Sequence, residues 1–355
     1  MTIKFGTDGW RGIIAQDFTF ENVRYCAQGV SRYLLENGLA QRGLVVGYDT
    51  RFLSEDFAMA VAEVAAGNGI TTYLCQQAAP TPVLSYNVVD RRAGGGAMIT
   101  ASHNPAKWNG FKYKPEYAGS ASPEIVAALE EHIAAVSTSS AVKSTSWASA
   151  LEQGLGKSID PASSYLEHVA GMVDMQGIKA AGLRVVVDPM YGAGIGYLPS
   201  LLNGGSIRVQ EIHGERNPIF PGMGQPEPVA HNLEGLSRAV LEQNADVGLA
   251  LDADADRFGL VDEKGNFITP LQVFALLALY FLDTKGERGA LVKSLTATSM
   301  IFRLGELFNV PVHETPVGFK FVGSVMMGEN ALMGGEESGG FGFRGHIPER
   351  DGVLS

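Results

Sequence analysis

The residues best suited to chemistry form a short acidic run, Asp252-Ala-Asp254-Ala-Asp256-Arg257. In extended backbone, side chains at i, i+2 and i+4 share one face. Three carboxylates held that way repel one another unless a cation neutralises them. The alanines leave the ligands uncrowded, and the apolar stretch Val247–Leu251 predicts a strand that anchors them. All-oxygen ligation suits Mg²⁺ or Ca²⁺ rather than zinc. The plain alternative is a solvated acidic turn. A calcium loop of the EF-hand type would use Asp252, Asp254, Asp256 and Glu263, but Arg257 stands where its sharp turn needs Gly, and the flanks read as strands.

A second candidate is Thr100-Ala101-Ser102-His103-Asn104-Pro105, after a predicted strand ending near Ile99. Asn104-Pro105 favours a turn, which exposes Ser102 at the mouth of the strand. An activated serine there is a nucleophile or phosphate carrier; a serine that merely bonds the backbone of its turn is the plain alternative. Ten residues on, the NGFK segment supplies Lys112, a proton-transfer partner if its pKa is lowered. In Gly335-Glu336-Glu337-Ser338-Gly339-Gly340, tight backbone is combined with acceptors for hydroxyl groups, which suits a sugar or a capped polar turn. Thr315–Lys320 (TPVGFK) adds a Gly-flanked loop with a cation, and Gly6–Gly12 (GTDGWRG) adds one with Arg11, a natural anion contact. Either is equally an ordinary surface turn. His213, His231 and His313 show no ligand spacing and read as structural.

These segments need a scaffold, and the pattern around them is α/β: short Val/Ile/Leu runs alternate with amphipathic stretches. Gly43–Arg51 reads as a buried strand entering a polar loop, Ser54–Gly67 as a helix capped by Ser54, and Ile70–Leu74 as a strand. Thr81–Val89 is helical, Ala97–Thr100 a strand, and Pro123–Val136 a helix capped by Ser122. Ser137–Ser149 is rich in Ser and Thr without apolar period, which predicts an exposed linker. Gly182–Gly194 is strand then Gly-rich loop, with a helix from Ile195 and strands at Ile207–Ile212 and Asp246–Leu251. A helix over Leu271–Thr284, a strand over Ala290–Lys293 and a loop over Ser294–Ser299 open a third unit. Three times, at Gly43, Gly182 and Gly289, a glycine leads through a short strand into a polar loop. Parallel sheets bind ligands at the carboxyl ends of their strands, so three such loops could serve one cleft.

Composition narrows the function classes. The 355 residues suit two to three domains, and 45% hydrophobic content rules out a mainly disordered chain. A net charge of −11 argues against general nucleic-acid binding but leaves local phosphate sites open. The longest apolar run, Val273–Leu282, is about half a membrane span. The N-terminus carries no apolar signal segment. Cys26 and Cys75 read as small buried residues, consistent with a reducing cytoplasm.

Taken together, FGTDGWRG, TASHNP, NGFK, DADADR, VGFK and GEESGG resemble, in order and approximate spacing, the α-D-phosphohexomutase family. The last stretch, GEESGGFGFRGHIPERDG, is most similar to phosphoglucomutases. Phosphoglucosamine mutases usually carry Gln in place of Glu337, and many mannose/glucose enzymes carry His in place of Gly340. The resemblance implies three similar mixed α/β domains around a central cleft, over 1–140, 155–262 and 263–355, and a fourth, phosphate-binding domain beyond Ser355. The chain therefore reads as truncated at its C-terminus.

The resemblance also implies roles. Ser102 would carry the phosphoryl group, and Asp252, Asp254 and Asp256 would bind one Mg²⁺ with a phosphoserine oxygen. Lys112 would transfer the proton, while His103 and Arg11 would support the phosphoserine. Arg257 would stabilise negative charge, and Glu336 and Ser338 would bond sugar hydroxyls. Thr7, Gly318, Lys320, His346 and Arg350 would be further substrate contacts. Glucose 1-phosphate and glucose 6-phosphate would interconvert through a 1,6-bisphosphate, which also serves as activator. The partner is then a hexose phosphate, with neither nucleic acid nor membrane involved. Rival readings are a mannose or glucosamine phosphate mutase, a Mg²⁺-dependent phosphatase, and a fragment that binds sugar phosphate without turnover.

Overall fold

The computed structural model describes residues 3–6, 8–139 and 142–355, and of 137–139 the backbone alone. The chain divides into two compact units, 1–165 and 166–355.

In the first unit, six strands form one sheet among the described residues: β1 (Trp10–Ile13), β2 (Leu44–Tyr48), β3 (Thr72–Cys75), β4 (Gly95–Ile99), β5 (Trp108–Pro115) and β6 (Gly156–Ile159), in the order β1-β5-β4-β2-β3-β6. The four strands β4, β2, β3 and β6 run parallel; β5 and β1 close one side antiparallel. Every residue of β2 and β4 is buried, as expected for strands covered on both faces. Leu44, Val46 and Tyr48 join the core formed with α1 (Phe20–Glu36) and α2 (Ser54–Gly67). On the opposite face, Gly47 and Gly96 leave room for Leu84 of α3 (Thr81–Asp90), whose Cδ atoms lie 2.8 Å from where each Cβ would stand. Helix α4 (Pro123–Ser139) packs on α1, and the Ser122 hydroxyl accepts from Ile125 N at 3.4 Å, the expected cap.

Two local expectations give way. Ser54 does not cap α2: Leu53 precedes the helix with φ 58°, and the Ser54 hydroxyl turns inward to donate to Asp49 Oδ1 at 2.7 Å. The Ser/Thr-rich stretch is no free linker either. Residues 140 and 141 lie outside the described residues, but beyond them Lys143 N donates to Gln28 Oε1 and Thr145 N to Glu63 O. Helix α5 (Trp147–Glu152) packs on α2, and β6 extends the sheet beside β3. Residues 142–159 therefore build the first unit, where a linker and the start of the second domain at 155 were expected. Their anchors are backbone groups, which composition does not reveal.

The second unit contains two further sheets. One has the order β11-β10-β9-β7-β8, from β7 (Arg184–Asp188), β8 (Arg208–Glu211), β9 (Val247–Leu251), β10 (Phe258–Asp262) and β11 (Phe267–Ile268). The other has the order β13-β12-β14-β15, from β12 (Leu291–Ser294), β13 (Val312–Thr315), β14 (Met333–Gly335) and β15 (Phe341–Phe343). The helix expected over Leu271–Thr284 runs from Pro270 to Leu279 and continues as a π-helical segment over Tyr280–Thr284. Its start is fixed by a Thr269/Gln272 capping box and by Pro270. Among the described residues, no helix is long and apolar enough to cross a membrane.

The three sheets repeat one plan. The glycine-led strands β2, β7 and β12 are each flanked by two parallel neighbours: β3 and β4, β8 and β9, β13 and β14. The later neighbour then turns back into an antiparallel strand, giving β4–β5, β9–β10 and β14–β15. These three hairpins hold Ser102, the acidic run and Glu336. The chemistry-bearing loops are thus one strand away from the glycine-led loops that suggested the repeat.

Candidate functional site

Ser102 lies three residues past β4 with φ 51°, in the left-handed region that a non-glycine residue adopts at a cost. Its N–H donates to Thr100 Oγ1 at 2.9 Å, and its hydroxyl stands 3.5 Å from His103 Nδ1. The returning strand comes very close: a Cβ at Gly110 would stand 2.3 Å from Thr100 O, so the glycine of NGFK is a packing requirement. Arg11, on β1, donates from Nη1 to Asn104 Oδ1. Lys112, on β5, is 1% exposed and pairs with Asp8 Oδ2 at 2.8 Å; the equally buried Lys114 reaches Asp8 Oδ1 at 3.0 Å. Beneath the loop sits Arg51, which ion-pairs with Asp49 Oδ2 at 3.1 Å and donates to the carbonyls of Ser102, Asn104, Pro105 and Trp108.

The acidic run joins β9 to β10, so both its flanks are strands and no EF-hand is present. Asp252, Asp254 and Asp256 are fully buried, and each offers a carboxylate oxygen within 4.8 Å of the others. Burial, reinforced by repulsion from Asp254 and Asp256, holds the Asp252 carboxyl well above the usual range, against the pull of Arg257. Buried carboxylates this close have an all-oxygen donor set that fits a hard divalent cation such as Mg²⁺. The loop is braced from β7: Ala193 N donates to Ala253 O at 2.8 Å, and a Cβ at Gly192 would stand 2.6 Å from Ala253 Cα. Arg257 pairs with Glu227 and lies 3.8 Å from Asp256 Oδ1.

The third hairpin adjoins the acidic one. Glu336 Oε1 accepts from Gly318 N at 3.0 Å, which ties the GEESGG turn to the VGFK turn. Burial pushes the Glu336 carboxyl up, against Arg350 and Arg257. Arg350 bridges the two hairpins, with Nη2 2.8 Å from Asp256 Oδ2 and Nη1 3.6 Å from Glu336 Oε2. Burial also pushes Glu337 up, but hydrogen bonds from Thr296 and Ser294 outweigh it, and the carboxyl lies below the usual range.

Of the residues expected to act, Ser102, His103, Arg11 and Lys112 gather around one hairpin of the first unit. Asp252, Asp254, Asp256, Arg257, Gly318, Glu336 and Arg350 form one connected network in the second unit. Ser338 is half-buried in its turn, and Lys320 lies with Nζ 5.2 Å from the Phe321 ring centre. Thr7 lies outside the described residues. His346, expected to touch substrate, has a fully buried imidazole between Asp351 Oδ2 at 2.8 Å and His168 Nε2 at 3.0 Å. His213, expected to be structural, has Nδ1 3.0 Å from both Asp188 oxygens. Both cysteines are buried, and burial pushes the Cys75 thiol up to about 12. Asp8, Asp49, Arg51 and Glu227 were not singled out from sequence. The one available signal was polar residues just past a buried strand, as in Tyr48-Asp49-Thr50-Arg51.

Comparison with known proteins gives the family. Three profiles of the phosphoglucomutase/phosphomannomutase family, for its alpha/beta/alpha domains I, II and III, match residues 2–140, 163–265 and 269–355. The chain belongs to the phosphoglucomutase/phosphomannomutase family. A phosphoglucomutase/phosphomannomutase of Thermococcus kodakarensis is 32% identical over 351 residues, covering 99% of this chain and 75% of the relative. A phosphoglucosamine mutase of an Arthrobacter species is also 32% identical, over 100% of this chain and 76% of the relative. The crystal structure of a candidate phosphomannomutase from Thermus thermophilus superposes with a TM-score of 0.90 at 36% identity, covering 100% of this chain and 78% of that one. The phosphohexomutases are Mg²⁺-dependent isomerases that transfer phosphoryl groups, and the three expected α/β domains are present.

Proposed function

We propose that this phosphohexomutase interconverts glucose 1-phosphate and glucose 6-phosphate through phosphorylated Ser102 and glucose 1,6-bisphosphate. The observation that carries the reading is Ser102 itself, kept in left-handed backbone at the end of a central strand, on a turn fixed by buried groups. Strained backbone is retained where the surroundings over-determine it, and such places cluster at functional sites.

In the forward step the bond between phosphorus and Ser102 Oγ breaks as a bond to the sugar hydroxyl oxygen forms. Lys112 handles the proton that the hydroxyl releases. Arg11 and His103 support the anionic group on Ser102. Asp252, Asp254 and Asp256 would hold one Mg²⁺, which would supply charge compensation for the transferring phosphoryl group. Arg257 adds positive charge beside these ligands, and Glu336 and Ser338 accept from sugar hydroxyls. Lys320, Gly318 and Arg350 complete the substrate contacts, with Thr7 proposed from its motif alone. His346, seated on Asp351 and His168, supports its loop. The bisphosphate turns round and returns its other phosphate to Ser102. We place this activity in the reducing cytoplasm.

The test incubates the chain with glucose 1,6-bisphosphate and Mg²⁺, followed by intact mass and phosphopeptide mapping. One phosphoryl group on Ser102, absent in Ser102→Ala, is expected; transfer to another residue or none in the wild type overturns the reading. Release of inorganic phosphate from glucose 1-phosphate without a 6-phosphate product would select a phosphatase. A higher kcat/KM with glucosamine or mannose 1-phosphate than with glucose 1-phosphate would move the sugar assignment to the chemistry named for the relatives.

A further inference from the structure

Arg51 stands outside every motif that marks the site, 51 residues before Ser102, and its side chain has no exposed surface. Its guanidinium makes a set of bonds that only a planar five-donor fork can make. Nη2 donates to the carbonyls of Ser102 and Asn104, the latter at 2.6 Å. Nη1 donates to Pro105 O at 3.0 Å and Trp108 O at 3.1 Å, so both ends of the turn are held. The fork is itself aimed: Asp49 Oδ2 lies 3.1 Å from Nε, and Asp49 Oδ1 accepts from the Arg51 N–H at 3.0 Å and from Ser54 Oγ at 2.7 Å. Asn109, one residue past Trp108, donates to the same Ser54 hydroxyl at 2.9 Å.

Carbonyls in a tight turn repel one another and are satisfied by water when exposed. Here four of them converge on one buried cation, which offsets both their desolvation and the left-handed cost at Ser102. We propose that Arg51, aimed by Asp49, is a positioning residue that sets the Ser102 backbone and so the direction of its hydroxyl. This rests on the reading of Ser102 as the phosphoryl carrier. Four of its hydrogen bonds end on main-chain carbonyls of the turn, so it acts through the main chain.

The test replaces the fork but keeps the charge, in Arg51→Lys. Two readouts are taken: hydrogen exchange at the amides of Ser102, Asn104 and Trp108, each hydrogen-bonded in the wild type, and the rate of Ser102 phosphorylation by glucose 1,6-bisphosphate. Loop amides should exchange about tenfold faster or more, the scale of one charge-assisted hydrogen bond, with β2 and β4 amides unchanged. The maximal phosphorylation rate should fall by a similar factor, with little change in the bisphosphate concentration giving half that rate. If loop and strand amides accelerate together, or neither readout moves twofold, the proposal is overturned. Should Arg51→Lys not fold, the pair Asp49→Asn/Arg51→Met removes both buried charges and is read the same way. If the wild type takes no phosphate on Ser102, the carrier reading fails, and the exchange arm alone decides whether Arg51 sets the turn.

Discussion

The hairpin loops after β4 and β9 hold equivalent places in their own sheets, yet they are fixed by opposite means. Behind Ser102, the loop after the neighbouring strand β2 contributes a side chain: Arg51 reaches under the turn and binds four carbonyls. Behind the aspartates, the loop after β7 contributes bare backbone: Gly192 lets the main chain approach until Ala193 N bonds Ala253 O at 2.8 Å. The difference follows from charge. A turn of converging carbonyls around a residue proposed to carry an anion gains from a buried cation. A loop of three buried carboxylates already faces Arg257 and Arg350, so a further cation from behind would compete with an incoming metal ion. Glycine gives close bracing without one.

The largest effect is expected from Gly192→Ala. The new methyl would stand 2.6 Å from Ala253 Cα, a backbone atom that cannot swing aside. Overpacking of this kind costs about 1–3 kcal/mol. If the loop relaxes by moving the aspartates, Mg²⁺ affinity by calorimetry should fall about tenfold or more, at 1.4 kcal/mol per decade. Ser102 loop amides should keep their exchange rates. Unchanged Mg²⁺ affinity in a folded variant would show that the glycine brace does not set the ligand geometry.

How much of this was legible in sequence differs between the two loops for the same reason. Asp252, Asp254 and Asp256 carry their own spacing, and the strand before them is adjacent, so a local reading recovers the donor set. The Ser102 turn is legible only as a turn, because Arg51 reaches it from a distant segment. Trp10–Ile13 is a strand, although its glycines suggested a loop, because pairing with β5 is a long-range fact. The glycine of NGFK answers to Thr100 O across the hairpin, a contact that no local reading supplies. The short strands β14 and β15 have three residues each, too few to show a period.

A smaller effect tests whether a cation beside the acidic loop competes with the metal ion, as the comparison requires. Arg350 Nη2 stands 2.8 Å from Asp256 Oδ2, and Nη1 is 3.6 Å from Glu336 Oε2. In Arg350→Met, Asp256 loses a competitor, so Mg²⁺ should bind about threefold to tenfold more tightly, the scale of one partly screened charge at this distance. Glu336, no longer faced by that cation, should lose hold of the sugar, and the KM for hexose phosphate should rise. Weaker Mg²⁺ binding together with a higher KM would mean that Arg350 supports both loops rather than standing between them.

The smallest effect lies at the end of β7, where Asp188 occupies the place that Asp49 takes after β2 but faces a histidine instead of an arginine. His213 Nδ1 stands 3.0 Å from both Asp188 oxygens, and that bond raises the imidazole pKa, against partial desolvation. A raised histidine pKa stabilises the fold fully below the ordinary value near 6.5 and loses that contribution as pH climbs through the raised value. An arginine at the same job would show no such window, since it stays charged. His213→Gln should therefore lower the unfolding temperature most at acidic pH, by the equivalent of about 1 kcal/mol, taken below the usual range for a charged hydrogen bond because the side chain is 29% exposed. The gap between variant and wild type should close as pH rises through and beyond neutrality. A gap that stays constant from acid to alkaline pH would assign His213 to packing against Tyr191, whose ring lies 4.6 Å away, rather than to its charge.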